Sequence, residues 1–471
     1  MGNVKAVVDW HASNSSGLFP HGLARFADRL GLPLQLYTPW FDDAYPTRFN
    51  MTESTVFRGT KIVVPDDSYA FFAALFDLGK SMTNGAFSTY EVDFLDKNFR
   101  GCASCFEDVG AADRWYAGMA RAAYERNVTI QYCLPSATDM LVSLSFPAVV
   151  QARASGDYAR KPSEAHTPHD NLVTLGGSSL LLGATRMAPS KDTLWTASPQ
   201  PPTSSDFTQT NYTRVPHVGL DAILATLSLG PVGISDGLNQ TDVGLIGQAF
   251  RGPRDATLLR PSRPLSTVDA CFANQSAGAR PGGYDPQAGP DVRGTHAALP
   301  GGGPASHYVV AWMTTRDVTL QRFDLYPPPP PSARLAVRRH VVAPAGAAQR
   351  SGCVDGHAAS PGCVEVLPAG ARPTIPAVGG SIEDFSLTAV YEPAANGAYF
   401  LGELTKFVHV SPQRFARVGV GGSGPCGLTV RVLGSAGGGD RVTLVAVDPK
   451  GIARIRAVAV PASGSSIDVE M

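Results

Sequence analysis

The rhythm of apolar and polar positions changes once along this chain, near Ser262. Before that point, short β-type runs alternate with longer amphipathic ones. The strand-length runs are Ala6–Trp10, Leu34–Trp40, Lys61–Pro65, Thr89–Leu95, Thr129–Pro135, Val149–Tyr158, Ser179–Met187 and Gly230–Asp236, eight in all. Helical stripes lie between them. Leu23, Phe26, Ala27 and Leu30 share one face of Leu18–Leu30, and Phe71, Phe72, Leu75 and Phe76 share one face of Ser68–Lys80, behind Asp67 and Ser68 as caps. Ala111–Arg126 carries Trp115, Met119, Ala122 and Ala123, and Gly219–Leu229 is almost wholly apolar, as a helix packed on a barrel wall is. Strands alternating with helices predict a parallel sheet. Eight repeats in about 250 residues is the size of a (β/α)8 TIM barrel, expected over residues 1–260.

From Ser262 to Met471 the pattern is period-2 instead, in Tyr308–Thr314, Val318–Leu325, Leu387–Tyr391, Phe407–Val410, Leu428–Val432 and Val442–Val447. These predict a C-terminal antiparallel β-sandwich over 262–471. Two Gly/Pro/Ala-rich stretches, about 274–304 and 327–376, read as loop-like insertions; the second opens on five consecutive prolines, Pro327–Pro331.

Composition narrows the partners. The 471 residues are 44% apolar and 17% charged, enough for a large core. Lys+Arg 39 against Asp+Glu 40 leaves a net charge of −1, so no basic excess points to nucleic acid or an acidic membrane surface. No apolar run reaches the ~18 residues of a membrane span. The opening MGNVKAVVDWH is no secretory leader, because Asp9 interrupts a short apolar stretch. Six of the eleven Asn nevertheless lie in Asn-X-Ser/Thr: Asn14, Asn50, Asn127, Asn211, Asn239 and Asn274. That excess points to the secretory route, extracellular or vacuolar/lysosomal, with a cytoplasmic location the alternative. Of seven Cys, Cys102 and Cys105 form C-x-x-C without the second pair a zinc site needs, and Cys353 and Cys363 are spaced as a loop disulfide. No His/Glu cluster has metal spacing and no Gly-rich loop precedes a helix, so neither a metal nor a cofactor is expected. Nothing in the pattern speaks to oligomeric state.

In such barrels the active site lies at the C-terminal ends of the strands. The polar residues ending the eight runs are Asp9 and Trp10; Trp40 with Asp42 and Asp43; Asp66 and Asp67; Glu91 and Asp93; Cys133; Arg153 and Asp157; Arg186; and Asp236. Carboxylates with Trp suggest a carbohydrate substrate, since glycosidases need two carboxyl groups flanking the scissile bond and an indole offers a flat apolar face to a sugar ring. Asp93 and Asp157 lie 64 residues apart, two βα units at about 31 residues each. Each interrupts or ends a strand pattern, where an unpaired acid is costly unless used. The bland alternatives are a cap at Asp93 and a turn acid at Asp157. Trp195 is a further candidate for the edge of the sugar site, and Asp236 reads chiefly as holding the turn after the eighth run.

Five short motifs in order carry a resemblance. They are SGLFPHGLARFADRLGLPLQLYTPWF, YEVDFL, VVQARASGDY, LSLGPVGISDGLNQTDVGLI followed by ATLLRPSRPLSTVDACF, and FLGELTKFVHVSPQRF. Together they resemble the clan of retaining α-galactosidases and raffinose synthases. The resemblance implies a TIM-barrel glycoside hydrolase cleaving terminal α-linked sugars by double displacement, with Asp93 as nucleophile and Asp157 as acid/base. It places Asp9, Trp10, Trp40, Glu91, Cys133 and Arg153 along the sugar pocket. Galactosyl transfer of the raffinose-synthase kind, and a catalytically weak carbohydrate-binding protein, are the alternatives. Two positions depart from the clan's pattern. The Lys expected two residues before the nucleophile is Glu91, an acceptor where the clan has a donor. Asp9 stands alone where two adjacent acids precede Gly-Trp. Clan members also normally carry a β-sandwich before the barrel, so the expectation is either that this domain is absent here or that the N-terminus is truncated.

Overall fold

The computed structural model describes residues 6–10, 19–45, 48–57, 59–99, 107–155, 181–198, 200, 218–252, 255–269, 291–342, 364–379, 384–436 and 438–471. The chain divides into two compact units, one comprising residues 1–153 and 181–190, the other 154–180 and 191–471.

The first unit runs α1 (Leu23–Leu30), β1 (Leu34–Thr38), β2 (Met51–Phe57), β3 (Thr60–Pro65), α2 (Ser68–Met82), β4 (Phe87–Val92), α3 (Leu95–Asn98), α4 (Ala111–Glu125), β5 (Thr129–Tyr132), α5 (Ala137–Val142) and β6 (Val149–Arg153), then enters β7 (Ala188–Leu194). Strands β1, β4, β5, β6 and β7 pair in that order, all parallel. Val7 adds a parallel bridge to Phe41 beyond β1. Helix α2 starts where the sequence predicts, with the Asp67 carboxylate capping the Ala70 amide at 3.0 Å. It buries Phe71, Phe72, Leu75 and Phe76, each contributing about 1.5–3 kcal/mol. Ser68 Oγ donates to the carbonyls of Arg114 and Trp115 on α4 at 3.0 and 3.1 Å. That approach requires Gly118, because a methyl there would collide with Ser68 Oγ and the Tyr69 amide.

Three of the eight runs fold otherwise than expected. Lys61–Pro65 falls in β3, which pairs antiparallel with β2 as a hairpin rather than joining the parallel sheet. Ser179–Met187 ends in a helical turn over 181–184, and the strand follows at β7. The Ala6–Trp10 run contributes the single bridge at Val7. Among the described residues the ladder stays open: no pairing joins its last strand to its first, so the expected closed barrel appears as a curved parallel sheet.

In the second unit β7 continues into a parallel pairing with β8 (Val232–Ile234), preceded by α6 (Val218–Leu227) and followed by α7 (Val243–Gly247). Helix α6 is buried almost all round, as its apolar sequence predicts, and its Asp221 meets Lys191 of β7 at 3.3 Å, both side chains 1% exposed. The rest of this unit is antiparallel. A six-stranded sheet runs Ser266–Thr267, Asp291–Ala297, Ser306–Trp312, Phe385–Tyr391, Ala336–Val342 and Val364–Val366 in spatial order. Two three-stranded sheets follow, Tyr399–Gly402 with Arg441–Val447 and Ala453–Ala459, and Phe415–Val420 with Leu428–Leu433 and Ser466–Glu470. Strands Asp291–Ala297 and Ala336–Val342 lie inside the stretches that read as loop. Phe407–Val410 is turn rather than strand. No helix among the described residues is long and apolar enough to cross a membrane.

Candidate functional site

Alternation along the parallel strands sorts their side chains. Tyr90 packs against Phe72 and Phe76 of α2, and Tyr132 against Tyr116 of α4. The intervening residues therefore face away from the helices. They form rows in register. Glu91 pairs with Tyr37 on one side and Gln131 on the other, and Gln131 pairs with Gln151. Toward the strand starts lies a row of Gln35, Thr89 and Thr129, in which the two threonine hydroxyls are 3.0 Å apart. Past the strand ends come Asp93 and Cys133, with Arg153 closing β6. Barrel interiors are dominated by bulky branched residues. This face is instead polar through three rows, and much of it is open to solvent, with Gln35 and Tyr37 exposed.

Asp93 is the best-held acid of the group. It is 7% exposed, and its amide donates to Thr38 O at 3.0 Å, carrying the β1–β4 ladder one residue beyond β4. Tyr37 donates its hydroxyl to Asp93 Oδ2 at 2.7 Å, and the Phe94 amide donates to Oδ1 at 2.7 Å. Burial, and then the Asp93 charge and hydrogen bond, hold the Tyr37 phenol far above its ordinary range, so it remains a donor. Cys133 follows the same logic. Burial raises its thiol, the Asp93 carboxylate raises it further, and Arg153 opposes. The thiol stays protonated, with Arg153 Nη1 donating to its sulfur at 3.5 Å.

The residues following these two side chains share an uncommon backbone. Phe94 has φ +57° and Leu134 has φ +49°, the left-handed region that bulky residues rarely adopt. Each turns the chain immediately past a strand-end side chain, and the turn at Phe94 brings its amide onto the Asp93 carboxylate. Backbone held in such regions costs on the order of 1–3 kcal/mol and clusters at functional sites.

Glu91 lies one row below Asp93 on the same face. Gln35 Nε2 donates to Glu91 Oε2 at 2.7 Å, and Gln151 Nε2 donates to Gln35 Oε1 at 3.4 Å. Glu91, Asp93, Cys133 and Arg153 are thus brought together on three adjacent strands. The other described candidates are not. Trp40 is 1% exposed, its ring edge-on to Phe57 at 5.0 Å and to Phe94 at 4.8 Å. It belongs to a core cluster with Ala6 and Ile62, so it braces Phe94 from behind rather than offering a flat face to a sugar. Trp10 donates its indole N–H to Tyr37 O at 3.3 Å and lies edge-on to Phe87, the first residue of β4, six residues before Asp93. Asp9 is exposed, and its charge reaches Tyr45, whose phenol is raised first by burial and then by Asp9. Asp157, the expected acid/base, lies outside the described residues, as do Cys102, Cys105, Cys353 and Cys363. Cys133 and Cys426, the described cysteines, are free and buried.

In the second unit Asp236 is a structural hub. It accepts from the Thr196 amide at 2.8 Å, the Thr196 hydroxyl at 2.6 Å and Gln200 Nε2 at 2.8 Å, fixing the turn after β8 to the segment after β7. Trp195, beside Thr196, is half-buried. Four residues at the first site escaped the sequence reading: Tyr37, Gln35, Gln131 and Gln151. Their signal was present, since each is a polar or amphipathic residue in an apolar run, and Gln131 and Gln151 lie two positions before Cys133 and Arg153. Among the described residues no cluster of His, Cys, Asp and Glu could hold a metal ion.

No family model matches the chain, and no curated protein matches its sequence. Its fold is similar to that of a GH27 β-L-arabinopyranosidase from Geobacillus stearothermophilus, with a TM-score of 0.50 at 12% identity over 83% of this chain and 82% of that one. An α-galactosidase from Lactobacillus brevis aligns with a TM-score of 0.46 at 14% identity over 83% of this chain and 48% of that one. A putative α-N-acetylgalactosaminidase from Bacillus halodurans C-125 aligns with a TM-score of 0.46 at 10% identity over 82% of each. At such identities the likeness is one of fold, and the clan resemblance carried by the sequence motifs holds at that level.

Proposed function

We propose that this protein is a glycoside hydrolase acting on terminal α-linked sugars of the α-galactoside type by double displacement. In this reading Asp93 attacks the anomeric carbon and Asp157 protonates the leaving oxygen, then activates water against the glycosyl–enzyme intermediate. The observation that carries the reading is the setting of Asp93. A nearly buried carboxylate at a parallel strand end is oriented by the Tyr37 hydroxyl and the Phe94 amide, beside Cys133 and Arg153. A nucleophile needs that fixed orientation, because attack requires the reacting atoms within about 3–3.5 Å along one line. The two bonds to Asp93 come from neutral donors, which orient the carboxylate without the full charge of a cation at hydrogen-bond distance. The fold neighbour named above is itself a GH27 glycosidase, which supports the class and leaves the sugar to be measured.

Glu91 bears on the sugar. Where the clan has a Lys donor, this chain presents a carboxylate tied to Gln35, so the pocket floor accepts hydrogen bonds from sugar hydroxyls. An assay of aryl α-galactoside, β-L-arabinopyranoside and α-N-acetylgalactosaminide, with and without sucrose as acceptor, tests the proposal. Release of the aryl group without elongated product supports hydrolysis. Elongated product instead means glycosyl transfer, and saturable sugar binding with no turnover means a binding protein.

A further inference from the structure

A cavity of about 90 Å³ lies in the second unit, between α6 and β8 and the segments that follow them. Its walls are apolar, built from side chains such as Ala225, Val232, Leu258 and Phe407, with Thr196 contributing a hydroxyl-bearing residue. Arg260 is the charged residue among the described residues that line it. The Arg260 backbone is pinned, its amide donating to Gln413 Oε1 at 2.9 Å and its carbonyl accepting from Ser411 Oγ at 3.1 Å. Its guanidinium has no acid among the described residues. Nearby arginines do: Arg251 meets Asp255 at 2.6 Å and Arg414 meets Glu403 at 3.2 Å. Burial lowers the Arg260 pKa, with no neighbouring charge contributing. A half-buried cation lining an apolar cavity calls for an anion, because a desolvated charge is costly unless paired.

We propose that this cavity binds a small amphipathic carboxylate, its alkyl chain against the apolar walls and its carboxylate on the Arg260 guanidinium. Size sets the chain length. At about 10–15 Å³ per water-sized group the cavity holds roughly six to nine such groups, the count of heavy atoms in a carboxylic acid of five or six carbons. Each methylene added within that limit strengthens binding about fourfold. The guanidinium–carboxylate pair makes two parallel charge-assisted hydrogen bonds, which an alcohol of equal length does not. The site shares no residue with the cluster around Asp93 and stands or falls independently of the glycosidase reading.

Calorimetric titration of the full chain with hexanoate at low salt tests it. Saturable one-to-one binding is expected, with a Kd on the order of 1 mM for a ligand of this size. Hexan-1-ol and acetate should bind at least about tenfold more weakly, the first lacking the charge and the second the chain. Arg260→Met should weaken hexanoate about tenfold or more and leave hexan-1-ol unchanged. Ala225→Leu, which fills the cavity from α6, should abolish binding of both while Arg260 is intact. Equal affinity of the wild type for hexanoate and hexan-1-ol would overturn the proposal, as would hexanoate binding that survives Ala225→Leu. The wild-type comparison decides the matter even if either variant fails to fold.

Discussion

The Tyr37 hydroxyl lies 2.7 Å from Asp93 Oδ2, joining β1 to the end of β4 through a phenol that burial keeps protonated. A hydrogen bond to a charged group contributes about 1.5–3 kcal/mol. Tyr37→Phe keeps the ring and removes the donor, so it should lower kcat on the best aryl glycoside by about 10- to 100-fold with little change in KM. Steady-state kinetics on a variant of unchanged Tm gives the answer. An equal rise in KM at constant kcat would mean that Tyr37 merely binds substrate.

Glu91 governs which sugar is read. Glu91→Lys supplies a donor where the clan has one, but it also faces Gln35, whose amide now donates to the carboxylate. If Glu91 faces the sugar, the variant should shift preference among the three aryl glycosides by about tenfold or more, with Gln35→Glu restoring a partner for the new ammonium. Unchanged preference in a folded variant would remove Glu91 from the pocket.

Stability of the second unit rests partly on a buried ion pair. Lys191 and Asp221 join β7 to α6 with both side chains 1% exposed. Asp221→Ala should cost about 3–5 kcal/mol, because it strips a buried ammonium of its carboxylate. The paired change Lys191→Met with Asp221→Leu should cost much less, since replacing both charges by apolar groups is often neutral. Chemical denaturation of the wild type and the two variants measures the difference.

The β-rich part should also be acid-sensitive. Burial, then the charges of His307 and Arg263, hold His296 down at about 4, and burial holds His409 well below the ordinary range. Both therefore stay neutral in the folded chain while the unfolded chain takes up protons below about 6.5. The unfolded state binds more protons in that window, so stability falls as pH drops from about 6.5 toward 4. His296 alone contributes on the order of 3 kcal/mol of that loss. Denaturation midpoints at pH 7, 5.5 and 4.5, repeated with His296→Gln, should show a shallower slope in the variant.

Much of the fold was legible because local and global signals agree. Helices α2 and α4 and strands β4 and β5 follow from Phe/Leu periodicity and from the Asp67 cap. The failures have specific causes. The Lys61–Pro65 run looked like a barrel strand, but the turn at Gly59, with φ +77°, pairs it with Met51–Phe57. Strand β7 reads as polar because it contains Pro189, Lys191 and Asp192, and the buried Asp221 that makes Lys191 tolerable there lies 30 residues away. Asp291–Ala297 was hidden in the same way, its buried Arg293 neutralised by Asp291 at 2.5 Å. At the site, Glu91, Asp93, Cys133 and Arg153 were readable from their place at run ends. Trp40 was misjudged, since an indole at a strand end serves the core as readily as a sugar, and only the rings of Phe57 and Phe94 decide which.

The three described sequon residues Asn50, Asn127 and Asn239 are all exposed. On a secretory route they should carry glycans, and peptide mapping of protein expressed through a eukaryotic secretory pathway would find modified asparagine at each. Unmodified asparagine at all three would point to a non-secretory protein.

The central claim is that Asp93 is the nucleophile of a retaining glycosidase. Its most direct test is mass spectrometry of the protein quenched during turnover of an activated 2-fluoro glycoside of the preferred sugar. The account predicts a mass increase of one glycosyl unit, carried by the peptide containing Asp93 and absent in Asp93→Asn. A glycosyl unit on another carboxylate, or turnover that persists in Asp93→Asn, would contradict it.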